Sequence, residues 1–183
     1  MRSDSVVDSH KGPSSSVVGK NWYLCYTKPR SEQQASVNLQ RQGYINYLPL
    51  YRESRNQRGK LVTKIEPMFP RYIFVALDTE TDNWAPIRST FGVSALVRFG
   101  LKPALVADEL ISILMKKEDD EGVQSAPMRE FESGQSVRVH SGPFKDYEGI
   151  FLAKNSNERV FVLLEVLGKE SRLSINPNQI VGS

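Results

Sequence analysis

The segment Met68-Phe69-Pro70-Arg71-Tyr72-Ile73-Phe74-Val75 constrains this 183-residue chain more than any other. Aromatic and β-branched residues dominate it, which predicts a strand from Phe69 to about Leu77. Pro70 would sit at the start, where no ladder hydrogen bond is lost. Alternation puts Tyr72 and Phe74 on one face and Ile73 and Val75 on the other. Both faces are apolar, so both need cover. The protein's own helices can supply one cover, and a partner or a second part of the chain the other.

The rest of the chain bounds what such a strand can belong to. The length suits one or two small domains, and 39% hydrophobic with 25% charged residues fits a soluble globular protein. There is no apolar run long enough for a membrane span, and the N-terminus lacks the apolar core of a signal peptide, so a cytoplasmic protein is expected. Cys25 is the single cysteine; in an apolar strand pattern it reads as a buried thiol, not half of a disulfide or a zinc site. His10 lies in a polar tail and His140 is alone in a strand pattern. No nucleophile–base pairing, metal-ligand spacing or Gly-rich phosphate loop appears, so neither an enzyme nor a cofactor or metal is expected. Charge is uneven. Residues 20–116 hold fourteen Lys/Arg against eight Asp/Glu, and residues 117–183 hold eight against eleven. A basic first half suggests a polyanionic partner, with a chance surface distribution as the alternative.

Residues 1–19 are polar, without periodicity, and predicted disordered. Residues 20–117 read as one domain. A strand at 21–28 precedes a helix from Ser31 to about Arg41, stopped by Gly43. A strand at 44–51 is broken by Pro49. A basic hairpin tip follows, with Arg52, Arg55, Arg58 and Lys60 around Gly59. After the central strand, Asp78, Thr79 and Asp82 offer N-cap chemistry to a short helix through Trp84, Ile87 and Arg88. A strand at 93–99 leads to a helix capped by Asp108, with Leu110, Ile111 and Leu114 at helical spacing. Strands and helices in this order predict an α+β sandwich of sheet and helices. Residues 118–131 look like a linker, and the acidic run Glu118-Asp119-Asp120-Glu121 like solvated charge. From 132 to 183, five short strands separated by Gly- and Asn-rich turns predict a small β-barrel.

Two sets of motifs tie the halves to a known family. The second half carries Gly134, Val137, Val139, Gly142-Pro143-Phe144 and Gly149 in the spacing of a KOW motif. The first half carries Trp22-Tyr23, the Phe69–Val75 segment, Ile87-Arg88-Ser89-Thr90-Phe91-Gly92-Val93, Leu96-Val97-Arg98-Phe99-Gly100 and Pro103. Together they resemble the NusG family of transcription elongation factors, over residues 21–182, and within it the RfaH-like specialised paralogues.

The resemblance implies a monomeric elongation and antitermination factor that holds the polymerase clamp closed and reduces pausing. An apolar patch at Leu24, Tyr72, Phe74, Ile111 and Leu114 would dock on the β′ clamp helices of RNA polymerase, with core packing the competing reading. Lys28, Arg41 and Thr90 match positions that contact the non-template DNA strand. Arg30 lies one residue from a basic position, and Arg88 joins the set. Phe91 replaces an expected arginine, so base-specific reading gives way to stacking. The polar segment that bridges to the β gate loop is here Asn83-Trp84-Ala85-Pro86, which leaves Asn83 and Arg88 for that role. In the KOW barrel, Phe144, Ile150 and Phe151 would meet ribosomal protein S10 or the terminator Rho. A KOW-type RNA-binding or ribosome-associated module is the alternative, disfavoured by the acidic second half. RfaH-like proteins also fold this second domain as an α-hairpin over the patch. Here the valines of 159–167, Gly168 and Pro177 favour the barrel, while Leu163, Leu164 and Leu167 would still fit a helix face.

Overall fold

Strand alternation builds the centre of the molecule from two antiparallel neighbours. The computed structural model describes residues 17–125, 147–153 and 155–173. Along the chain these form β1 (Asn21–Thr27), α1 (Glu32–Arg41), β2 (Ile45–Tyr47), β3 (Leu50–Gln57), β4 (Lys60–Pro67) and β5 (Tyr72–Leu77). A 3-10 helix (Ala85–Ser89) precedes β6 (Val93–Leu96), β7 (Arg98–Phe99), β8 (Lys102–Pro103) and β9 (Leu105–Val106). The chain continues as α2 (Asp108–Lys116), β10 (Val123–Ser125), α3 (Glu148–Leu152) and α4 (Ser156–Leu173). No helix among the described residues is long and apolar enough to cross a membrane.

β1 runs antiparallel to β5, with Leu24 opposite Phe74 and Cys25 opposite Ile73. The other edge of β1 takes β6 near Thr27 and β9 near Trp22, and β2 extends the sheet beyond β5. The alternation predicted for the central strand is realised. Ile73, Val75 and Leu77 join Tyr23, Cys25, Ala35, Leu39 and Ile87 in one core, beneath α1 and the 3-10 helix. Phe74 and Ala76 join Trp22, Leu24, Leu110, Ile111 and Leu114 in the other. Cys25 is fully buried, and burial pushes its thiol up to about 12, which leaves it unreactive.

The sheet-and-helix sandwich matches the expectation; several details differ for local reasons. Pro70 does not open the strand. Phe69-Pro70-Arg71-Tyr72 forms a turn, closed by the Tyr72 amide donating to the Phe69 carbonyl at 3.0 Å, and β5 starts at its last residue. Neither Asp78 nor Asp82 caps the 3-10 helix; Trp84 is its capping residue, and the Oδ1 of Asn83 just before it accepts from the Ala85 amide at 3.1 Å. Asp78 is spent on its own turn with Glu80 and Thr81. Asp108 lies inside α2, and Ala107 is the capping residue.

Residues 119–125, expected as linker, are held against the first unit: Asp119 accepts the Val123 amide, and β10 pairs in parallel with β3. The acidic run is not simply solvated. Arg52 pairs with Asp119 and Glu121 at 2.6 Å each, which also removes Arg52 from the free charges of the hairpin.

The main difference is in the second half. Residues 148–152 and 156–173 are helical, so the described part of the expected barrel takes the α-hairpin alternative. The tail 1–16, residues 126–146 with Phe144 and His140, and Pro177 lie outside the described residues. β-branching at Val160, Val162 and Val166 and the mid-helix Gly168 cost a helix up to about 1 kcal/mol each. Full burial of Ile150, Leu163 and Leu167 returns roughly 1.5–3 kcal/mol apiece. These side chains complete the cluster that contains Phe74 and Leu24, so the helical form covers its own apolar stripe and the sheet's at once.

Gly92 shows how tightly the other face is closed. Its φ is +95°, and a Cβ there would lie 2.8 Å from the Ala35 nitrogen, part of the α1 backbone. Gly92→Ala is therefore expected to destabilise the fold by about 2 kcal/mol or more, from left-handed strain plus displacement of α1. Chemical unfolding of the variant checks this.

Candidate functional site

Two surfaces gather the residues singled out by the sequence. The first is the face of β1 and β5 away from α1. Leu24, Phe74, Ile111 and Leu114 are fully buried there, and Tyr72 is half-buried. The Phe74 ring meets Phe69 edge-on at 5.9 Å and stacks near Tyr47 at 6.1 Å, while Tyr72 lies 5.1 Å from Tyr26. Helical spacing on α2 brings Ile111 and Leu114 to the same cluster. The structure thus unites all five residues of the expected docking patch, and α3 and α4 close the same cluster.

The hairpin is held by more than apolar contact. Arg159 is only 4% exposed; its Nε donates to the Met68 carbonyl at 3.0 Å, and its guanidinium lies 4.1 Å from the centre of the Tyr51 ring. Lys117 covers the Phe151 ring at 4.2 Å, and Gly168 brings the helix within contact of Phe99. Ile150 is therefore core, and Phe151 is half-covered in this form. Sequence reasoning missed Arg159. Its signal was an arginine four residues before Leu163 on one helical face, which the barrel reading hid.

Beside this cluster, the Tyr47 hydroxyl donates to the Glu118 carboxylate. Burial raises the Glu118 carboxyl above its ordinary range, although the Tyr47 hydrogen bond pulls the other way. Burial and the facing carboxylate also raise the Tyr47 phenol.

The second surface is the end of the sheet where β1 finishes and β6 begins. Lys28, Arg30, Arg41, Arg88 and Phe91 are all exposed. Asn38 Nδ2 donates to the Phe91 carbonyl at 3.1 Å and Gln42 Nε2 to the Thr90 hydroxyl at 3.0 Å, so the segments bearing Arg41, Arg88 and Phe91 adjoin. The Lys28 ammonium lies 5.6 Å from the Phe91 ring centre. Thr90 departs from expectation. It is 3% exposed, and its hydroxyl donates to the Pro86 carbonyl at 3.1 Å, so it locks the loop and presents no polar contact. Asn83 is exposed, whereas Trp84 packs edge-on against Tyr23 at 4.7 Å, as helix packing required. Arg71 was also missed: its guanidinium lies over the Tyr26 ring at 4.1 Å, at this same end of the sheet.

A family model described as transcription termination factor nusG matches residues 20–115. A transcription termination/antitermination protein NusG from Thermus thermophilus is 25% identical over 178 residues, covering 87% of this chain and 97% of that protein. One of the same name from Staphylococcus aureus is 26% identical over 181 residues, covering 91% and 98%. A solved structure on domain interaction in Thermotoga maritima NusG is 22% identical and covers 68% of this chain and 75% of that one, with a TM-score of 0.39.

Two outcomes are expected from this geometry. Arg159→Ala removes a charged hydrogen bond and a ring contact, so α4 should open more readily by about 1.5–3 kcal/mol, read as faster amide exchange across 159–167. Glu118 holds its proton to higher pH when folded than when unfolded. Its contribution is therefore favourable below the unfolded carboxyl pKa of about 4.3 and is lost as pH rises through the raised folded value. Glu118→Gln should gain stability relative to the parent as pH is raised from about 4 to 7, measured by denaturant unfolding.

Proposed function

The chain belongs to the NusG family, and on that footing we propose that it is a transcription elongation and antitermination factor. It acts on RNA polymerase through the patch of Leu24, Tyr72, Phe74, Ile111 and Leu114, which takes the β′ clamp helices. Lys28, Arg30, Arg41, Arg88 and Phe91 face the non-template DNA strand, and exposed Asn83 lies where a β gate-loop contact would fall. The single observation that carries the reading is the roofed patch: an apolar face assembled from β1, β5 and α2 and closed by α3 and α4. A hydrophobic face of this kind, rimmed by aromatics, suits a protein partner when uncovered.

On this reading the described form is the closed one, of the RfaH-like kind. The hairpin and polymerase compete for one surface, and polymerase gains only what remains after the hairpin is displaced. Ribosomal protein S10 or Rho would meet the second domain only after it leaves the patch, because Ile150 is buried in the closed form.

Transcription in vitro with purified polymerase tests this. The full chain should shorten pauses or raise readthrough on a subset of templates, and Arg159→Ala should do so at lower protein concentration. Tyr72→Ala, at the half-buried edge of the patch, should weaken the effect in the Arg159→Ala background. Unchanged pausing and readthrough with both the parent and Arg159→Ala would defeat the reading.

A further inference from the structure

We propose that the outer edge of β4 is a self-association site, where two copies of this chain pair antiparallel along Lys60–Glu66 about a two-fold axis at Thr63. Their small sheets would join into one. This goes beyond the transcription reading and does not rest on it. It also departs from the monomer that the family resemblance implies.

Three observations carry it. The first is the edge itself. The small sheet runs β10-β3-β4, so among the described residues β4 ends it. Arg58 at φ +52° and Gly59 at φ +79° make a two-residue turn of type I′. The flanking residues Gln57 and Lys60 are partners, and in such a hairpin they exchange hydrogen bonds. Bonded and non-bonded pairs then alternate, which turns the N–H and C=O groups of Leu61, Thr63 and Ile65 away from β3. The Ser54 and Thr63 hydroxyls meet at 3.0 Å, as side chains of a non-bonded pair should, since they lie closer. The opposite end of the sheet, β10, has three residues, of which Val123 and Gln124 are buried.

The second is what the edge carries. Leu61 is 74% exposed, Ile65 48% and Val62 42%. No other element among the described residues bears more than one large apolar side chain so open to water. Leu61, Thr63 and Ile65 share one face of β4, and none is charged.

The third is self-complementarity. Pairing about Thr63 sets Lys60 against the partner's Glu66, Leu61 against the partner's Ile65, and Val62 against the partner's Lys64. Each of these pairs occurs twice across the axis, with Thr63 meeting its own copy. Opposite charges, apolar pairs and Thr–Thr pairs across strands all favour a sheet. Lys64 already pairs with Glu66 of its own chain, so its stem is free to cover Val62. A slip of two residues would put Lys60 or Lys64 opposite the partner's Lys64, and like charges directly opposite are unfavourable. Lysines on an edge strand ordinarily discourage pairing. Here they exclude the neighbouring registers and leave one. A two-fold pairing uses both β4 edges and so closes at a dimer.

Sedimentation velocity of the full chain from about 1 to about 500 µM tests the association. The weight-average mass should rise from 20.7 kDa towards twice that value and stop there. Thr63→Pro removes an outward amide and leaves the β3 ladder alone. It should weaken association at least about tenfold with unchanged far-UV circular dichroism. Lys60→Glu and Glu66→Lys should each weaken it about fivefold, and both changes in one chain should restore it, because opposite charges again face each other across the axis. Thr63→Cys reads the register. Its two Cα atoms would lie about 5.5 Å apart, within disulfide reach. Cys25 is fully buried and does not compete. Mild oxidation should link Thr63→Cys into dimers and leave Leu61→Cys unlinked. A mass fixed at the monomer value, growth past a dimer, Thr63→Pro associating like the parent, or Leu61→Cys linking as fast as Thr63→Cys would each overturn the proposal. The first of these would leave β4 as an edge guarded by its lysines.

Discussion

The antiparallel pairing of β1 with β5 is the constraint on which the rest depends. Both strands are apolar on both faces, and their register sets Leu24 against Phe74 and Cys25 against Ile73. A slip of one residue would move every side chain to the opposite face, so two distinct cores fix the register twice. The two faces differ in what closes them. α1 and the 3-10 helix, near in sequence, seal Cys25, Ile73 and Val75. The other face needs α2 and then α3 and α4, which lie far along the chain. One cover is local and built in; the other is distant in sequence and can be exchanged.

That difference explains why a segment with strand-like composition is helical. In a strand, Leu163 and Leu167 would share one face and Val166 the other, and a barrel would leave Phe74 and Ile111 without this cover. As a helix, 159–167 places Arg159, Leu163, Val166 and Leu167 on one stripe and closes both surfaces together. The propensity terms opposing the helix are tenths of a kcal/mol for each valine and about 1 for Gly168, smaller than the burial they oppose. Gly168 is also used: the helix approaches Phe99 there, with the position of an added Cβ at 3.4 Å from the ring edge.

The sequence was most legible where a period was long and local. The two-faced strand, α1, α2 and the basic hairpin with its Arg58-Gly59 tip all appear where periodicity and turn chemistry put them. It was least legible where a distant residue decided the outcome. β10 forms because Asp119 and Glu121 meet Arg52, almost seventy residues earlier in the chain, and no local pattern carries that. Thr90 was expected to be a polar contact from the family resemblance alone, yet Gln42 and Pro86 claim its hydroxyl. The helical 159–167 was hidden because Val and Leu alternate and spiral equally well there, and only the waiting face of β5 breaks the tie.

The two surfaces are joined through one short segment. Met68 gives its carbonyl to Arg159 of the hairpin. Three residues on, Arg71 lies over Tyr26, gives its carbonyl to Thr27, and takes the Glu32 carboxylate on its amide at 2.7 Å. Between them Phe69 packs on Phe74. Residues 68–72 are therefore gripped at one end by the removable cover and at the other by the rim beside Lys28. Coupling between the two surfaces requires a ligand at the rim to interact differently with the covered and uncovered forms. This turn touches both surfaces: the Met68 carbonyl meets the cover, and Arg71, three residues on, adjoins the rim. The proline that first marked the strand's beginning thus sits at the centre of the connection, fixing the backbone between cover and rim.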